Sequence, residues 1–196
     1  MIKFYTNREL SRKLNINLAR WKRWSREFLP PDPLGGLQSG YARQFNPDDA
    51  FKVYIGGHLV GNLKFTIPES KQILNDLHMW LVNHNFYYNF ADTAKPEMSS
   101  TNLIKYFRIV ILRRTNLNNQ DCDFFYLAKG SISDDLIDHH GIQVRQERFI
   151  ESAIDSKTDK FGPADAESYQ VLNISTLRKN FLNCLSESKN IKSSTN

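Results

Sequence analysis

A chain of 196 residues, 40% of them hydrophobic, is long enough to bury one large or two small cores, which excludes disorder of the whole chain. Its two cysteines, Cys122 and Cys184, stand far apart with no second ligand at zinc-site spacing, and no apolar run reaches the length of a signal peptide or membrane span; a soluble, cytoplasmic protein with no metal, no other cofactor and no membrane partner is expected. The formal charge of +5 is uneven: eight basic and two acidic residues give residues 1–30 a charge of +6 and leave −1 for the rest, the footprint either of a segment that meets a polyanion or of a solvated basic face with no partner.

Thr6-Asn7-Arg8-Glu9 has the form of a capping box and starts a predicted helix over residues 7–14, with Leu10 and Leu14 on one face. Asn15-Ile16-Asn17 breaks it, and Asn17 can cap a second helix over 18–28. Two helices joined by three residues give the helix-turn-helix pattern, in which the second helix enters the major groove. Trp21, Trp24 and Phe28 share one face of that helix and either pack it onto its neighbours or offer a stacking platform for bases; packing is favoured, because a small domain needs their buried area. Pro30, Pro31, Pro33, Gly35 and Gly36 exclude helix from the next stretch, and residues 37–42 around Ser39-Gly40 read as a small β-hairpin. Asn46-Pro47-Asp48-Asp49 opens a third helix through Leu63, weakened by Gly56, Gly57 and Gly61, and Thr66-Ile67-Pro68-Glu69 a fourth that fades near Asn85.

A polar, small-residue stretch over 90–102 sets the expected domain boundary. Beyond it, 104–114 reads as a central strand, 116–121 as a turn and 124–129 as the hairpin partner; further strands are expected at 143–153 and 169–173, then a helix over 176–185 capped by Ser175 and a disordered tail over 187–196. Asp138-His139-His140 is the one chemically suggestive triplet, since such a string occurs in metal-dependent phosphoesterases. It lacks the further aspartates such a site needs and reads as a surface turn at a helix end.

Taken in order, Phe4-Tyr5, Glu9-Leu10, Leu14-Asn15-Ile16-Asn17, Ala19-Arg20-Trp21, Phe28-Leu29-Pro30, Gly40-Tyr41-Ala42-Arg43-Gln44-Phe45, Asp48-Asp49 and Phe65-Thr66-Ile67-Pro68-Glu69 resemble the DNA-binding domain of MerR-family regulators over residues 3–85. The resemblance implies a groove-reading second helix and a wing that touches backbone or minor groove. It places Asn17, Arg20 and Arg23 on the groove-facing helix and Tyr41 and Arg43 on the wing. Lys22, like Arg26, either joins the contact or faces solvent. Lys64 stands where members usually carry glycine, and no heptads follow residue 85 to supply the family's dimerising coiled coil.

The expected fold class is α+β: a winged helix-turn-helix of four helices and a hairpin wing over 1–88, of which residues 1–85 are expected to fold alone as a monomer, then a small antiparallel sheet with a C-terminal helix over 103–186. The expected function is sequence-specific binding of double-stranded DNA as a transcriptional regulator, not an enzyme, with the second half used for sensing or assembly; a homodimer and a protein or small-molecule effector are both left open there. The alternatives are an architectural, excisionase-like or phage DNA-packaging accessory protein, and an enzyme with a fused DNA-binding domain.

Overall fold

The computed structural model describes residues 4–32, 42–87, 104, 106–115, 122–154 and 166–186. The fold is α+β, with six helices and two antiparallel sheets among those residues. Compactness divides the chain into two units, one of residues 1–64 with 178–196 and one of 65–177, so that the segment 1–88 contributes to both. The polar stretch over 90–102, the turn at 116–121 and the tail from 187 lie outside the described residues.

In the first unit, β1 (Tyr5–Thr6) runs into α1 (Asn7–Lys13) through a complete capping box: Glu9 N donates to Thr6 Oγ1 at 3.3 Å and Thr6 N donates to Glu9 Oε2 at 2.8 Å. Asn15 then takes a left-handed φ of 53°, a conformation asparagine tolerates, and Ser11 Oγ donates to Ile16 O at 2.6 Å across the turn. Asn17 Oδ1 accepts from Ala19 N and Arg20 N and starts α2 (Leu18–Phe28). A hairpin over 37–42 lies largely outside the described residues. What is seen instead is β2 (Gln44–Phe45) paired antiparallel with β1, Tyr5 opposite Phe45.

Helix α3 (Pro47–Gly61) begins at the Asn46 cap with Pro47 in its first turn. Its glycines, costly to an isolated helix, are where the rings of α2 sit. A Cβ at Gly56 would lie 2.5 Å from the Phe28 ring and one at Gly57 2.3 Å from that of Trp24, so only glycine allows this approach. Trp21, fully buried, meets Phe45 edge to face at 5.9 Å. The later turns of α6 (Ile174–Ser186) belong to this unit as well. Phe181 lies against Phe51 and Tyr54 with centroids 5.1 and 5.4 Å away, and Lys13 Nζ donates to Leu185 O at 2.9 Å. Beyond the residues up to 85 that the sequence assigns to this core, α6 adds Phe181 to its aromatic wall.

In the second unit the expected fourth helix is two, α4 (Ile67–Asp76) and α5 (His78–Asn83), divided at Leu77. Ile73, Leu74, Leu77 and Leu81 remain one buried stripe across the break. The sheet is formed by β3 (Tyr106–Thr115), β4 (Cys122–His139), β5 (Ile142–Ile154) and β6 (Ser168–Leu172), ordered β5-β4-β3-β6, every pair antiparallel. Ile109, Ile111, Phe124, Tyr126 and Ala128 bury one face of it, Phe65 meets Phe124 edge to face, and Tyr126 Oη donates to Asp76 Oδ2 at 2.7 Å. Burial above all, and then the Asp76 charge, pushes the phenol's ionisation far upward. Ser175 is not the cap of α6. Its hydroxyl accepts from Phe107 N at 2.8 Å, and Asn173 Oδ1 accepts from Thr176 N in its place.

Asp138-His139-His140 lies at the tip of the β4–β5 hairpin rather than at a helix end. His140 and Gly141, with φ of 56° and 83°, make a two-residue turn, and Asp138 Oδ1 accepts from Gly141 N at 2.8 Å. Strand β4 is thus three times the length of the six-residue partner expected at 124–129, because the half-polar sequence after Ser131 stays extended past a bulge between Ser131 and Ser133.

Candidate nucleic-acid interface

The helical repeat of α2 sorts its side chains into two faces. Trp21, Ser25 and Phe28 are buried toward α3 and β2, whereas Ala19, Lys22, Arg23 and Arg26 point to the opposite side and are exposed. Burying such large rings is worth about 2–3 kcal/mol each, enough to fix which side of α2 turns outward. Trp24, half-buried, lies over Gly57 and completes the packed face. The aromatic residues therefore hold the helix from behind; Trp21 and Phe28 are not presented for stacking.

Lys22, Arg23 and Arg26 stand together on the outward face. None of them, nor Arg8, takes part in a salt bridge among the described residues. Arg20 leans to the flank, its guanidinium 6.0 Å from the Trp24 ring centroid. Asn17 is exposed, but its carbonyl oxygen is committed to the helix cap, so only its NH2 group remains to donate outward. Arg43 precedes β2 and lies 5.5 Å from the Phe45 ring centroid. Its charge also acts on Asp49, whose carboxyl is raised by half-burial and drawn partly back by Arg43. Tyr41 lies outside the described residues.

A groove of about 980 Å³ runs along this unit between the start of α1, the Lys22 side of α2 and the segment before β2. Among the described residues Arg8, Lys22, Arg26 and Arg43 line it with one acid, Asp32, so this lining favours an anion. Arg20 and Arg23 are not part of it. Arg8 is the residue sequence reading passes over. The α1–α2 turn sets it on the same side as Lys22, and Arg43 joins them because β1 pairs with β2, a contact between segments some forty positions apart that no local pattern announces.

His58 on α3 is half-buried, and loss of hydration lowers its ionisation below the ordinary 6.5. Among the described residues no cluster of three or more histidine, cysteine, aspartate or glutamate side chains is placed to hold a metal ion, and no helix is long and apolar enough to cross a membrane. No family model, curated protein or solved structure matches the chain.

Proposed function

We propose that this protein binds double-stranded DNA, reading it as a transcriptional regulator with α1 and α2 as a helix-turn-helix and the segment around Arg43 as part of a wing. The observation that carries the reading is the outward stripe Lys22, Arg23 and Arg26 on a helix held rigidly by Trp21 and Phe28, with Arg8 and Arg43 beside it. Cations presented on a packed helix, with no salt bridge of their own among the described residues, are suited to phosphates on either side of a major groove. Each phosphate neutralised releases counterions, so affinity falls with salt in proportion to the number of phosphates engaged. The MerR-like order of elements supports the same reading.

Fluorescence anisotropy of the full chain on mixed-sequence and selected duplexes tests it. Lys22→Ala, Arg26→Ala, Arg20→Ala and Arg43→Ala are each expected to weaken binding, and each phosphate left without its cation should lower the slope of log affinity against log salt by about one. Arg23→Ala is expected to relax preference among sequences as well, since it lies at the centre of the outward face. Unchanged affinity at low salt across the whole set would remove DNA from the reading. Occupancy mapping in cells then separates a regulator, found at promoters, from an accessory factor found at recombination or packaging sites.

A further inference from the structure

Strand β5 forms one edge of the four-stranded sheet, and among the described residues no strand lies on its outer side. Thirteen residues long, all exposed except Glu147 and Ile154, it carries Ile142, Val144, Phe149 and Ile150 at 68, 41, 43 and 51% exposure. Proteins protect such edges with short strands, lysine, proline or a bulge on the edge itself. Residues 142–154 contain no lysine and no proline, and the bulge lies on β4. The charges that are present alternate in sign along the strand: Arg145, Glu147, Arg148, Glu151.

We propose that β5 pairs antiparallel with β5 of a second copy of this chain about a two-fold axis through Gln146, joining two sheets into one. In this register Arg145, which already holds Asp134 of its own sheet, lies opposite Glu147 of the other copy, itself held by Arg108, so each cross-copy pair extends an existing ion pair with an opposite charge. Ile142 meets Ile150 at both ends, and the remaining pairs, Gln143 with Phe149 and Val144 with Arg148, bring no like charges together. Centring the axis on Arg145, Glu147 or Arg148 places a charge against its own copy, which antiparallel pairing penalises. Outward backbone N–H and C=O groups give the affinity, and the paired side chains select the register.

The pairing needs no DNA, so its test is separate from that of the DNA-binding reading. In sedimentation at micromolar concentration the full chain is expected at about twice 22.8 kDa. Ile142→Lys with Ile150→Lys, both exposed, should return it to monomer with an unchanged circular dichroism spectrum. In a Cys122→Ser, Cys184→Ser background, Gln146→Cys should oxidise to a covalent dimer. Gln143→Cys should not, because its copies would stand ~20 Å apart, beyond disulfide reach. A monomeric wild-type chain, a dimer indifferent to the two lysines, or a covalent dimer formed by the Gln143→Cys variant and not by the Gln146→Cys variant would each overturn the proposal.

Discussion

His58 shows how one position couples protonation to folding. In the folded chain its partly buried ring is harder to protonate, so on acidification the unfolded chain takes up a proton first. The stability this confers is complete above 6.5 and drains as the pH falls below that value. Thermal melts between neutral pH and about 5 should show His58→Gln with a flatter profile than the parent. An unchanged slope would assign the acid sensitivity to other groups. The interface is likewise readable one side chain at a time, but only so far. Arg23 could be placed on the outward face because Asn17 marks where α2 begins and Trp21 and Phe28 mark which side is buried, whereas Lys22 and Arg26, left between contact and solvent by the sequence, share that face and Arg20 leans to the flank. Arg8 could not, since a strand pairing brings Arg43 toward it, and the burden placed on Asn17 is reduced because its oxygen already serves the helix. Lys64 illustrates the limit of analogy: with φ at 64° it adopts the left-handed conformation that suits glycine, and its ammonium donates to Gly61 O at 2.7 Å at the end of α3.

Between α2 and α3 the decisive feature is the absence of side chains at Gly56 and Gly57. Helix propensity alone says that alanine should stabilise α3 at either place by about 1 kcal/mol. Packing opposes this, because the new Cβ at residue 56 would stand 2.7 Å from Phe28 Cγ, near the root of a buried ring that cannot swing clear. Overpacking of that kind costs about 1–3 kcal/mol. Gly56→Ala is therefore expected to lower the urea midpoint, and a raised midpoint would show that the two helices separate easily. Periodicity and caps reveal α1, α2, α3 and the start of each strand of the sheet to within a few residues, since alternation or a buried stripe is written locally in Leu10 and Leu14, or in Ile109 and Ile111. The division at Leu77 escapes them: leucine favours helix, and the apolar stripe runs on without interruption. Ser175 misleads for the opposite reason, a good capping residue whose hydroxyl is claimed by Phe107 N.

The two compact units are not successive lengths of chain. Composition points to a boundary where the sequence turns polar, but no local signal records that Phe181 will lie against Phe51 and Tyr54. Phe181→Ala is expected to cost about 3–5 kcal/mol, seen in chemical denaturation. A chain ending before residue 178 should lose the cooperative transition of the first unit, with Phe51 left uncovered; a fragment that melted as sharply as the full protein would contradict this. During biosynthesis the basic helix α2 leaves the ribosome long before α6, whose Phe181 closes the core behind it, so in the interval the nascent chain carries that helix without its full support. A chain cut short between the two would present the cationic helix on an open core and be an easy substrate for cellular proteolysis.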